Sequence, residues 1–178
     1  MYTKETGTSN SIVFYYNKQD LFDHVSLITS YRARNIKNQE GTPQVDDYAM
    51  SEDETDAFLL FAKSAVKDVY DVVIKLTKGI SSQPVFVDET VTIGGSTVDN
   101  LYGFKIVDNN AYNDNVLFIV DDWVRRYIEY HILASWYELV GVDVEYKNWL
   151  AKRESTRYGL ITKGLFQLRK PLISSPNP

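Results

Sequence analysis

Few residues of this chain have the types and spacing that catalysis requires. The 178 residues include two histidines, His24 and His131, more than one hundred positions apart, and no cysteine. Thiol nucleophiles, disulfides and thiolate metal sites are therefore excluded. Zinc-protease, nucleophile-elbow and phosphate-loop motifs are absent. We expect each lone histidine to be a surface or hydrogen-bonded core residue, so no enzyme activity, metal site or cofactor is predicted.

An acidic run between residues 46 and 56 raises the alternative of a calcium site. Calcium loops alternate their ligands around a central glycine and end on a distal glutamate. This run lacks that spacing. Ser51 with Glu54 three positions later is instead a capping box, and the acids suit the positive end of a helix dipole. The sequence favours the start of a helix over a metal site.

The first half of the chain is predicted to be mostly helical. Ser11–Tyr16 is β-branched and aromatic, which indicates a short strand or an extended arm. Asn17 is placed to cap a helix that runs to about Ile36. After the polar loop 37–50, apolar residues at helical spacing predict a second helix from Ser51 to about Lys78.

Residues 80–120 have a different character. Their β-branched runs are typical of strands, and Gly94-Gly95 indicates a tight hairpin between two of them. Val116–Val120 is interpreted as a buried strand or an extended entry to the next helix. We therefore expect a small β insertion between two helical blocks.

The segment from Asp121 to Arg169 is predicted to be a long helical hairpin. It contains all three tryptophans, and its turn lies at Gly141. Asp121 or Asp122 is expected to cap the first helix, and Asp143 the second. The first helix has two apolar faces, which predicts burial on both sides. One face exceeds what a small core needs, and this excess favours an assembly protein.

The predicted fold is mainly α with a small β insertion, in one domain over residues 1–178. It is a helical bundle with a long C-terminal helical hairpin and a small antiparallel sheet. The expected parts are an arm or strand at 1–16, helices at 17–79, the β insertion at 80–120, the hairpin at 121–169 and an arm at 170–178. No segment has the length or apolar character of a membrane span or a signal peptide.

Charge is unevenly distributed along the chain. The net charge is −5, with 17 acids and 10 bases in residues 1–120 and 7 acids and 9 bases in residues 121–178. An acidic front and a mildly basic back make a poor general nucleic-acid binder. The same asymmetry could support head-to-tail packing of copies.

The order of elements resembles the head–tail connector or adaptor proteins of tailed bacteriophages. The resemblance is carried by SEDETDAFLLFAKSAVKDVYDVVI, by YKNWLAKRESTRYGL and by the segments Glu52–Ile74 and Val124–Leu168. It implies a structural virion protein that forms a homo-oligomeric ring, commonly of twelve copies. Such a ring is expected in the neck, between the portal of the DNA-filled head and the tail, after assembly in the host bacterial cytoplasm.

The resemblance also implies partners and contact residues. Copies of the chain, the portal, tail proteins and DNA passing without sequence-specific contacts are the expected partners, with no membrane. The candidate subunit interface consists of Trp123, Tyr127, Tyr130, Tyr137, Trp149, Arg153 and Arg157. The candidate partner-docking arms contain Phe14, Tyr15, Tyr16, Leu172 and Ile173. The alternative is a nucleic-acid-binding or DNA-packaging accessory module acting through Arg125, Arg126, Arg153 and Arg157.

Overall fold

The computed structural model describes residues 2–5, 10–37, 41–77, 85–93, 96–108 and 117–160. Within these ranges, helices dominate and the strands form one small antiparallel sheet, so the predicted fold class is confirmed. The strands are β1 (Tyr2–Glu5), β2 (Asn10–Asn17), β3 (Val85–Ile93) and β4 (Ser96–Asp108). The helices are α1 (Lys18–Ala33), α2 (Val45–Tyr48), α3 (Thr55–Thr77), α4 (Leu117–Leu139) and α5 (Asp143–Gly159).

The sheet joins two distant parts of the sequence. Its strand order is β1-β2-β4-β3, and every neighbouring pair is antiparallel. Ile93 pairs with Ser96, so two residues connect β3 to β4, as the hairpin prediction requires; Gly94 and Gly95 themselves lie outside the described residues. The small β segment also joins the N-terminal part of the chain, because residues 101–108 of β4 pair with the N-terminal strand β2.

The N-terminal segment is a strand and not an arm. β2 pairs with β4 from Asn10 opposite Asp108 to Asn17 opposite Leu101. The Phe14 and Phe104 rings stack across this ladder with centroids 5.0 Å apart. A Cβ at Gly103 would overlap backbone atoms of the opposing strand, so glycine permits the close approach.

Local capping starts the first helices as predicted. The Asn17 side chain accepts hydrogen bonds from the backbone N–H groups of Gln19 and Asp20, at 2.8 and 3.2 Å. Ser51 and Glu54 form the predicted capping box around a 3-10 turn that leads into α3. The short helix α2 lies in the segment predicted as a loop. Its four residues carry too little periodicity to be recognised in the sequence.

Two predictions for the hairpin are wrong in detail. Leu117 to Val120 is the first turn of α4 and neither a strand nor an extended entry, so Asp121 and Asp122 do not cap the helix. A short apolar run is compatible with either structure, and here burial of Leu117 and Val120 at helical spacing favours the helix. The N-cap of α5 is Val142, without a side-chain hydrogen bond, and not Asp143.

A single apolar cluster holds these elements together. It combines one face of β2 and β4 with the inner faces of α1, α3 and α4 and with Trp149 of α5. Gly141, with φ of 74°, allows the tight reversal between α4 and α5. None of the helices in the described part of the chain is long and apolar enough to cross a membrane. Residues 161–178, which include the predicted arm, lie outside the described ranges.

Candidate assembly interface

The predicted aromatic face of α4 is covered largely by the chain itself. Tyr127 and Tyr137 are buried, and the partly buried Trp123 and Tyr130 pack against the same core. The Tyr127 hydroxyl donates to Asp68 Oδ2 of α3 at 3.2 Å. Burial and then the nearby Asp68 raise the pKa of Tyr127. This face of α4 therefore packs against the core of its own chain. It does not provide the excess apolar surface that the sequence indicated.

Trp149 is the anchor of α5. Its side chain is only 5% exposed, and its ring lies 5.6 Å from that of Tyr130 on α4. The Lys152 ammonium is 3.9 Å and the Arg32 guanidinium carbon 5.7 Å from the ring centroid. Among the residues that α5 contributes, Trp149 alone is buried. Of the other residues of α5, nine are exposed and seven are half-buried.

The candidate arginines are engaged in ion pairs within the chain. Arg153 Nη2 lies 2.8 Å from Glu154, and Arg157 Nη1 lies 3.8 Å from the same carboxylate. On α4, Arg125 pairs with Glu129 at 2.9 Å, and Arg126 pairs with Asp122 at 3.0 Å. Each guanidinium thus has a neutralising partner one turn or less away on its own helix.

The predicted N-terminal docking residues are placed differently from an arm. Phe14 is fully buried and Tyr16 is 4% exposed. The Tyr16 hydroxyl donates to Asp121 Oδ1 at 3.1 Å, and burial, then Asp121, raises its pKa. Tyr15 is half-buried and lines a groove of about 230 Å³ with Arg125. Leu172 and Ile173 lie outside the described residues, so their role stays a prediction.

His131 of α4 is buried and lies beside the exposed Asp68 of α3. Its Nδ1 has no hydrogen-bond partner in the described structure and lies 3.5 Å from Asp68 Oδ2. Burial first, and then the positive charge of Arg153, lowers the pKa of His131 below its ordinary value. The nearby Asp68 Oδ2 already accepts a hydrogen bond from the Tyr127 hydroxyl, and we interpret His131 as a packing residue.

His24 belongs to a second polar cluster. Its Nδ1 lies 2.9 Å from Glu129 Oε1, the same oxygen that receives the Arg125 Nε–H at 2.9 Å. Glu129 is 6% exposed, so this buried carboxylate needs both partners. The cluster joins α1 to α4. Across the described ranges, no group of three or more metal-ligating side chains occurs.

Exposed large apolar side chains mark both ends of the α4–α5 hairpin. At the turn, Leu139 is 62% and Val144 is 78% exposed. Arg32 Nη1 lies 3.7 Å from Glu145 Oε1, so the end of α1 is close to the start of α5. Tyr31, beside Arg32 in the sequence, is 68% exposed. We refer to these three exposed side chains, Tyr31, Leu139 and Val144, as the turn-end patch.

The open-end patch consists of Phe118 and Tyr158, which are 62% and 70% exposed. Both belong to the opposite end of the hairpin, where Gly159 fits against the Trp123 ring. The predicted interface omitted the residues of both patches. Tyr31 lies off the apolar stripe of α1, and Val144 and Tyr158 lie off the apolar positions of α5. These three residues could have been identified in the sequence because each is apolar and lies outside the buried stripe of its helix.

Comparison with protein-family models, with curated proteins and with solved structures finds no significant match to the chain.

Proposed function

We propose that the protein is a structural subunit of a homo-oligomeric ring that joins the portal of a tailed bacteriophage head to the tail. The two apolar patches at opposite ends of the α4–α5 hairpin carry this proposal. At 1.5 Å per residue, the 23 residues of α4 separate them by roughly 30 Å. Large contiguous apolar surfaces are typical of sites that bind another protein, and these exposed side chains are the candidates for such sites on the hairpin.

The patches differ in composition, which favours a head-to-tail contact. The turn-end patch is contributed by α1, α4 and α5, and the open-end patch by α4 and α5 alone. A contact between two different patches of the same chain propagates from copy to copy, and it closes into a ring when the rotation between copies permits. A twofold dimer would need only one self-complementary patch.

The open surface of α5 supports the same function. Only Trp149 of this helix is buried, and charged residues occupy much of the remainder. In a neck ring, such a helix provides polar surface toward a neighbour, a tail protein or the channel. The net charge of −5 suits a channel through which DNA passes without sequence-specific binding.

The alternative, a nucleic-acid-binding module, has weaker support. It requires Arg125, Arg126, Arg153 and Arg157 to face phosphates, yet each is within 4.0 Å of a carboxylate of its own helix. Phosphate binding would have to displace these acids. We therefore expect no gel shift with duplex DNA even at low salt.

The test is the mass of the purified protein alone and after mixing with the portal protein of the same phage. We expect a closed ring, or a monomer that assembles only on the portal. Mass photometry distinguishes the two, and electron microscopy of the mixture locates the added density. A stable monomer that binds neither portal nor tail proteins refutes the proposal.

A further inference from the structure

Three buried polar atoms of the α4–α5 hairpin have no hydrogen-bond partner within the described part of the chain. They are the hydroxyl oxygen of Tyr137 on α4 and, on α5, Glu145 Oε2 and Trp149 Nε1. A buried polar group that has lost its contact with water and gained no partner is destabilising, and folded proteins contain few of them. Three such atoms close to one turn therefore indicate that they share a small polar ligand.

Arg32, in the last turn of α1, connects the residues that carry these atoms. Its Nη1 lies 3.7 Å from Glu145 Oε1, and its guanidinium carbon lies 5.7 Å from the centroid of the Trp149 ring. Burial first, and then the negative charge of Glu145, raise the pKa of Tyr137, and the positive charge of Arg32 opposes this shift. Both charges are thus close enough to Tyr137 to act on its hydroxyl, so the three atoms belong to one cluster between α1, α4 and α5.

The ion pair with Arg32 does not satisfy the Glu145 carboxylate. At 3.7 Å the contact is longer than a hydrogen bond, and it is made by Oε1, whereas the unpartnered atom is Oε2. The side chain of Glu145 is 17% exposed, while Tyr137 is fully buried. A carboxylate held this far from bulk solvent needs a donor for its second oxygen.

We propose that an ordered water molecule binds in this cluster, accepting hydrogen bonds from Trp149 Nε1–H and from the Tyr137 hydroxyl and donating one to Glu145 Oε2. The chemistry of the three groups matches a water. An indole N–H only donates, an ionised carboxylate only accepts, and a phenol hydroxyl can donate. Buried waters typically make about three hydrogen bonds to groups that would otherwise be unsatisfied. The water connects α4 to α5 beside the turn.

The same pattern of donors and acceptors disfavours other small ligands. A metal cation would meet the proton of the Trp149 indole, and only Glu145 would offer it an ionised oxygen. An anion would be repelled by that same carboxylate. The water site belongs to each copy of the chain and does not depend on ring formation, so every outcome below leaves the proposed function untouched.

NMR of the full-length protein, deuterated and labelled with ¹⁵N-tryptophan, measures water contact at Trp149. A bound water that stays longer than the protein takes to tumble gives a nuclear Overhauser cross peak to a nearby proton. The matched control is Trp136, 4% exposed, whose Nε1–H donates directly to the Tyr48 carbonyl oxygen at 2.9 Å. We expect a cross peak to water from the Trp149 indole proton and none from that of Trp136. Trp149→Phe and Trp136→Phe assign the two signals.

Substitutions of Glu145 distinguish a bound water from bulk solvent. Glu145→Gln keeps an acceptor oxygen and should keep the Trp149 cross peak, whereas Glu145→Leu has no acceptor and should lose it. The Trp136 signal should stay unchanged in both variants, which shows that the fold is intact. A cross peak that survives in Glu145→Leu comes from bulk water that reaches the indole, and it overturns the proposal.

Tyr137→Phe is the last control, because a hydroxyl proton exchanges with water and could relay the signal to the indole. In this variant the water keeps Glu145 and Trp149 as partners, so the cross peak should remain. Its disappearance assigns the signal to the hydroxyl and overturns the proposal. Absence of the Trp149 cross peak in the natural protein overturns it as well. A changed indole ¹⁵N shift in Glu145→Leu would then identify a direct bond from Trp149 Nε1–H to the carboxylate.

Discussion

The two apolar patches allow a test of head-to-tail assembly by complementation. Val144→Glu removes the most exposed apolar side chain of the turn-end patch, and Tyr158→Gln removes the corresponding residue of the open-end patch. Neither change should harm the fold. An acid in the first turn of α5 suits the helix dipole, and glutamine is a good helix former.

The expected effect follows from the exposed area. Tyr158 is 70% exposed, so covering it removes roughly 150 Å² from water, or about 4 kcal/mol at 25 cal/mol/Å² if all were apolar. Only part of this is realised in binding, because ordering and desolvation oppose it. We therefore expect each variant to weaken self-association by about tenfold to a hundredfold.

Mixing the two variants gives the decisive result. In a head-to-tail assembly, Val144→Glu retains an intact open-end patch and Tyr158→Gln retains an intact turn-end patch. The mixture should therefore form dimers and nothing larger, while each variant alone stays monomeric. Sedimentation velocity of each protein and of the equimolar mixture measures this directly.

Leu60→Gln is the matched control, because Leu60 is 67% exposed on α3, outside both patches. It should assemble as the natural protein does. The reasoning is refuted if both patch variants assemble normally, or if the mixture stays monomeric while the natural protein forms rings. Loss of assembly in Leu60→Gln would show that general surface hydrophobicity, and not the patches, drives association.

Two further predictions concern the fold. Gly103→Ala should lower the unfolding free energy by about 3 kcal/mol in urea, since its Cβ would overlap the Phe14 carbonyl oxygen. Burial and the charge of Arg153 lower the folded-state pKa of His131, so the unfolded chain binds the proton more strongly than the folded chain. The free energy of unfolding should therefore fall as the pH drops below about 6.5. The loss levels off below the folded-state pKa, and His131→Leu should flatten the urea midpoint between about pH 7 and pH 5.

Each of these predictions has its own contradicting outcome. Gly41 has φ of 82° with no atom within 4 Å of a Cβ, so Gly41→Ala should cost only about 1 kcal/mol. Equal losses in the two glycine variants would rule out the steric account of Gly103. An unchanged pH dependence in His131→Leu would show that His131 is not the source of the acid sensitivity.

The sequence alone determined the features that depend on neighbours in the chain. The Asn17 cap, the Ser51–Glu54 capping box and the two-residue hairpin connection arise within a few residues, so side-chain type and spacing are sufficient to predict them. Helical periodicity likewise indicated α1, α3, α4 and α5, although not the first residues of α4 and α5.

Tertiary structure alone decided the features that depend on contacts between distant segments. Phe14 lies opposite Phe104, and no local pattern specifies a pairing across that separation. Burial against α3 and α5, and not residue type, determined that Tyr127 and Tyr137 face their own core while Tyr31, Val144 and Tyr158 face solvent. Aromatic residues suit a core and an interface equally well, so only the arrangement of the surrounding elements could distinguish the two.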